Sequence, residues 1–187
     1  MQYRIDRWIK ILTELRERGA KFLTLNSLVY ATKMKKESLR VALWRLRKKE
    51  LIFKVGRWYI IPPASIEEIA LIVYPPCYIS LEWALFKQNI IDQAPYQCTC
   101  ITTKKPKIIK TPNGTIEYKH IKRELFFGYN NKLIAYPEKA LLDLIYYKRH
   151  RDKTINLEDL DKKKLKEYAK KYPKSVQKEL RKILNKE

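Results

Sequence analysis

Arg40, Arg45 and Lys48 stand close to Lys35, Lys36 and Glu37 in one stretch, and their types and spacing suit contact with a nucleic acid. At about 100° per residue, Glu37, Arg40, Val41, Trp44, Arg45 and Lys48 fall on one side of a helix that begins at Lys36. An arginine fork placed there offers paired donors to a guanine edge or to a phosphate, and both roles stay open for Arg40. Lys35, Lys36 and Lys48 suit positioning on the phosphate backbone. Trp44 either packs on neighbouring structure, the following hairpin or a second domain, or makes an apolar contact in a groove. The opposite stripe of Leu39, Ala42, Leu43 and Leu46 is apolar and predicts which side packs inward.

Two other groupings carry possible chemistry. Glu117-Tyr118-Lys119 puts a carboxylate and an ammonium on one strand face, the spacing of the second half of a metal-dependent nuclease core. That reaction needs an upstream acidic partner for the metal, and Asp92, the candidate, falls in a turn. Glu138 and Asp143 lie on an apolar helix. Glu138 suits the helix N-terminus, and Asp143 suits a structural hydrogen bond or a partner contact. No glycine-rich phosphate loop, nucleophile elbow or histidine acid–base pair is present, so no enzyme activity or cofactor is expected. His120 and His150 stand apart and no Cys-x-x-Cys occurs, so no metal site is expected either.

The helix from Lys36 must be held by its neighbours. Leu51, Phe53, Val55, Trp58 and Ile60 alternate as one face of a hairpin, and Gly56-Arg57 suits its two-residue turn. Arg57 at the tip faces a phosphate, a minor groove or plain solvent. Upstream, Ile5, Trp8, Ile9, Leu12 and Leu15 predict a helix that Gly19 stops. Phe22 to Leu25 predicts an edge strand, and Asn26 or Ser27 a cap for a second helix with Leu28, Val29 and Ala31. Thr32 to Lys35 is then a turn with Met34 inward. Helix, strand, helix, turn, helix and hairpin in this order spell a winged helix-turn-helix. Pro62-Pro63 closes it as a first domain of residues 1–62.

Residues 64–187 predict a mixed α/β domain with a helical C-terminal tail, making the whole chain α+β. Helices are expected from Ile66 to Tyr74, from a Ser80 cap to about Gln88, and from Glu138 to Lys148 with Pro137 in the first turn. Strands are expected at Tyr96–Thr102, Lys107–Ile109, Thr115–Ile121 and Leu125–Tyr129. From Asn156 onward the tail is lysine-rich. Leu165, Tyr168, Ala169 and Tyr172 form an apolar stripe beside Lys162, Lys163, Lys164, Lys166, Lys170 and Lys171.

Charge supports the nucleic-acid reading. The net charge is +21, and residues 1–62 hold 16 basic against 5 acidic side chains, net +11. Phosphate contact with counterion release calls for such an excess on the binding surface. Hydrophobics at 45% predict a globular chain. No run approaches the roughly 20 apolar residues of a membrane span, and the first residues lack an export signal's apolar core. The odd set of Cys77, Cys98 and Cys100 fits a reduced, cytoplasmic setting.

Tyr78-Ile79-Ser80 with Ala84-Leu85, Asp92-Gln93-Ala94-Pro95, Ile101-Thr102-Thr103 and Pro137-Glu138-Lys139-Ala140-Leu141-Leu142-Asp143-Leu144 follow one another along the second region. In this order they resemble the AbiEi-type antitoxins, the predicted transcriptional regulators of viral defence systems. The last of them is very close to that family's Pro-Glu-Arg-Ala-Leu-Leu-Asp-Leu. With the winged helix, the likeness spans roughly residues 5–150. The wing departs from it: Gly56-Arg57-Trp58-Tyr59 stands where relatives have Arg-Gly-x-Tyr. The resemblance implies a repressor that binds double-stranded operator DNA in front of its own operon. It also implies an antitoxin that counteracts a cognate nucleotidyltransferase toxin, for which Asp143, Lys163, Lys166 and Lys170 are the candidate residues. A winged-helix regulator with a ligand-binding or oligomerisation domain and no toxin partner is the alternative.

Overall fold

The computed structural model describes residues 2–148 and 157–184, so His150 and Asn156 lie outside the described residues. The chain is α+β and divides into two compact units, Met1–Val73 and Tyr74–Glu187.

In the first unit, α1 (Gln2–Glu17) stops at Gly19, whose φ of +77° lets Ala20 donate back to the Leu15 carbonyl at 2.9 Å. After β1 (Phe22–Leu23) comes α2 (Leu25–Thr32). Its cap is Thr24, not Asn26 or Ser27. The Thr24 hydroxyl accepts from the Ser27 amide at 3.1 Å, and the Ser27 hydroxyl accepts from the Thr24 amide at 2.8 Å. The reciprocal bonds satisfy two amides at once, which starts the helix two or three residues early. Lys33 ends α2 in the left-handed region, and half-buried Met34 packs on the core as the turn predicts.

Helix α3 (Lys36–Lys48) buries Leu39, Leu43 and Leu46, each worth about 1.5–3 kcal/mol of transfer from water. Strands β2 (Phe53–Val55) and β3 (Trp58–Ile60) follow, with Gly56 at φ +57° in the turn. They form an antiparallel sheet of order β1-β3-β2. Phe53 pairs with Ile60 and Val55 with Trp58, so these four share a face as expected. Val55 and Ile60 of that face are buried. Ile52, Tyr59 and Ile61 of the other face also pack into a core cluster, with Leu51 against it, so the hairpin buries residues on both faces.

Helix α4 (Ile66–Val73) belongs to this first unit. Ser65 and Glu68 form a capping box, and Glu68 also pairs with Lys21 at 2.9 Å. That bond with Lys21 holds the Glu68 carboxyl below the ordinary carboxylate range. The unit therefore ends one helix beyond the expected break at Pro62-Pro63.

The second unit carries β4 (Cys77–Ile79), α5 (Leu81–Lys87), β5 (Gln97–Thr102), β6 (Lys107–Thr111), β7 (Gly114–His120) and α6 (Pro137–Lys148). Helices α7 (Lys162–Ala169) and α8 (Lys174–Leu184) make the tail. The sheet order is β4-β5-β7-β6, with β5 parallel to β7 and the outer pairs antiparallel. Strand β4 was not foreseen, because three consecutive buried residues show no alternation. The expected strand Leu125–Tyr129 is instead a 3₁₀ turn, Arg123–Leu125, and an isolated bridge from Tyr129 to Ala135. Gly128 breaks it at φ +77°, where a Cβ would meet Lys139 Cγ at 3.0 Å. Cys77, Cys98 and Cys100 are all buried.

Candidate nucleic-acid interface

The outward face of α3 holds the charged residues that its spacing predicts. Lys36, Glu37, Arg40, Arg45 and Lys48 are all exposed, as is Lys35, the residue before the helix. From Lys36 to Lys48 this face runs about 18 Å at 1.5 Å per residue. Val41 is 50% exposed and Trp44 57%, so Trp44 is not taken up by packing on the hairpin. Its ring instead carries the Lys48 ammonium, 5.8 Å from the centroid. Because Leu39, Leu43 and Leu46 anchor the inner stripe, the outer face is fixed in rotation by the core.

Arg57 is exposed in the hairpin turn, its guanidinium 5.0 Å from the Trp58 ring. Two exposed residues escaped sequence reasoning. Tyr30 on α2 is 88% exposed, and its position two residues beyond Leu28, the buried residue of that helix, was the available signal. Lys33 is exposed in the turn, where its left-handed backbone ends α2.

In the second unit the charged candidates separate into buried and exposed groups. Asp143 has no exposed surface and takes the structural hydrogen-bonding role, one of the two that its place on the helix left open, which leaves no surface for a partner contact. Its Oδ1 accepts from Lys139 Nζ at 2.5 Å and from the Tyr172 hydroxyl at 2.5 Å. Its Oδ2 accepts from Ser80 Oγ at 2.7 Å and from the Tyr78 hydroxyl at 2.9 Å. Ser80 thus spends its hydroxyl on Asp143 rather than capping α5. A buried carboxylate with four donors is compensated in the way that burial of charge demands.

Lys139 is equally buried, between the rings of Tyr78, Phe127 and Tyr172. Burial pulls its ammonium below the ordinary lysine range, and Asp143 partly offsets that. Glu138, the residue before Lys139, accepts from the Asp161 amide at 3.1 Å and pairs with Lys164 at 3.2 Å. The segment Pro137–Leu144 therefore holds both ends of α7: Glu138 at its start and Asp143, through Tyr172, beyond its end.

This docking sorts the tail lysines. Leu165, Ala169 and Tyr172 are buried, as the stripe predicts. Lys164 lies 3.7 Å from the centroid of the Tyr136 ring and Lys171 lies 4.2 Å from that of Phe127, so these two are drawn onto aromatic neighbours and leave the basic face. Lys162, Lys163 and Lys166 remain exposed on α7, as does Lys170 just past its end.

Glu117 and Lys119 share a face as predicted, but the carboxylate is occupied. Oε1 takes the Lys119 ammonium at 2.6 Å and Oε2 takes the Gln97 amide at 2.5 Å. Among the described residues no group of three or more His, Cys, Asp or Glu side chains is placed to hold a metal. Nor is any described helix long and apolar enough to cross a membrane. No protein-family model matches the chain, and no curated protein matches it.

Proposed function

We propose that this chain is a winged helix-turn-helix protein that binds duplex operator DNA and represses its own operon, and that it also acts as an antitoxin against a cognate nucleotidyltransferase toxin. The DNA-binding half rests on one observation: α3 buries its apolar stripe and turns Lys36, Glu37, Arg40, Arg45 and Lys48 outward, directly before a hairpin tipped by Arg57. In this reading α3 enters the major groove. Arg40 and Glu37 reach base edges, Lys35, Lys36, Arg45 and Lys48 hold phosphates, and Arg57 meets the backbone or the minor groove. The excess of cations on residues 1–62 supplies counterion release.

The antitoxin half rests on the AbiEi-like motifs. The most family-like segment, Pro137–Leu144, works from inside by seating α7. Lys163 and Lys166 on that helix, with Lys170 just past its end, are then the exposed residues offered to the toxin.

The test pairs a promoter reporter with growth of cells that express the neighbouring nucleotidyltransferase gene. The full chain should repress and protect. Arg40→Glu should lose repression and keep protection, while glutamine at Lys163, Lys166 and Lys170 together should do the reverse. A wild-type chain that neither represses nor protects would defeat the proposal.

A further inference from the structure

We infer that Val41 and Trp44 form an apolar reader of thymine methyl groups in the middle of the α3 outer face, so that the preferred duplex carries thymine there. The inference rests on the DNA-binding reading above and adds what the face selects.

Val41 and Trp44 are three residues apart on one helix, which makes their side chains neighbours. They are 50% and 57% exposed, whereas Leu39, Leu43 and Leu46 of the same helix are buried. Water is a poor environment for two large apolar side chains side by side. Their surroundings say what would cover them. Lys36, Arg40, Arg45 and Lys48 are exposed around them, with Glu37 the acidic member of the face. A cationic rim disfavours an ordinary apolar protein surface and favours a polyanion.

On a duplex, the apolar group that the major groove presents at base edges is the thymine 5-methyl, and apolar side chains are its usual contacts. The Lys48 ammonium stands 5.8 Å from the centre of the Trp44 ring. A cation suited to phosphate thus adjoins a ring suited to a base edge, which is how backbone contacts set the register for base contacts.

The experiment uses the full chain and the duplex it selects from a randomised pool. That duplex is remade with deoxyuridine in place of thymine, one position at a time, which removes the methyl and leaves the base-pairing groups in place. Binding should weaken about fourfold at a contacted thymine, the worth of one buried methyl. The double variant Val41→Ala, Trp44→Ala should bind the thymine and deoxyuridine forms alike. Both positions are exposed, so its melting temperature should match the wild type. The wild-type titrations decide the matter even if the variant is unstable. If no deoxyuridine substitution weakens the wild type while a selected sequence is still preferred, the methyl reading is overturned and DNA recognition stands. Deoxyuridine sensitivity that persists in a folded double variant would assign the methyl contact elsewhere and overturn it too. If the pool yields no enriched sequence, both readings fall.

Discussion

The Tyr172 hydroxyl donates to Oδ1 of Asp143 at 2.5 Å, and through this bond a residue beyond α7 is fastened to the buried centre of α6. Lys139 bonds both partners, so a cation, an anion and a phenol close one circuit. Tyr172→Phe should cost about 1.5–3 kcal/mol, the range for a hydrogen bond to a charged group. Lys139→Met should cost more, about 3–5 kcal/mol, because it leaves a buried carboxylate without its counter-ion. Urea unfolding of the two variants checks both values. Unchanged midpoints would mean that the tail is held by apolar packing alone.

Alkali should unfold the second unit by a route that the tyrosines reveal. Burial raises the phenols of Tyr78, Tyr118, Tyr147 and Tyr172 well above their ordinary value near pH 10, with Asp143 adding to the effect at Tyr78, Tyr147 and Tyr172. Once unfolded, they lose their protons from about pH 10. The folded state then binds more protons than the unfolded state, so stability falls as pH climbs above about 10. Lys139 works the other way: between its lowered pKa and the ordinary value near 10.4, its contribution grows with pH. Four phenols outweigh one ammonium. Tyrosinate absorbance should therefore rise in two steps, the second coinciding with loss of circular dichroism. A single smooth step for all 13 tyrosines, with the fold intact, would contradict this.

The end of the first unit makes a separate prediction. A fragment of residues 1–73 keeps α4, its capping box and the Lys21–Glu68 pair, whereas a fragment of residues 1–62 loses all three. The longer fragment should melt several degrees higher, as expected for a small domain that gains about 1 kcal/mol or more. Equal melting temperatures would return the boundary to Pro62-Pro63.

Local pattern carried much of this fold. Period 3.6 in α3 placed Leu39, Leu43 and Leu46 inward and Arg40, Trp44 and Lys48 outward, because both stripes lie within one element. Gly19 and Gly56 marked their turns because each needs a positive φ. The Asp143 centre was not legible, since its partners Tyr78 and Tyr172 are 65 and 29 residues away in the chain. Only the folded sheet and tail bring them together. Ser80 misled for the same reason: a serine before a helix reads as a cap until a distant carboxylate claims its hydroxyl.

Binding of the full chain to duplex DNA tests the central claim, that the outer face of α3 recognises a specific sequence. The measurement is competition between DNA from upstream of its own gene and a random duplex, over a range of salt. The wild type should prefer the upstream DNA. Arg40→Ala should lose about 1–3 kcal/mol on it and relax the preference, as for a residue that reads a base; equal weakening on both duplexes would make Arg40 a phosphate contact instead. Lys48→Ala should weaken both duplexes alike and reduce the log–log salt slope by about 0.9. A wild-type chain with no preference between the two duplexes would contradict the account.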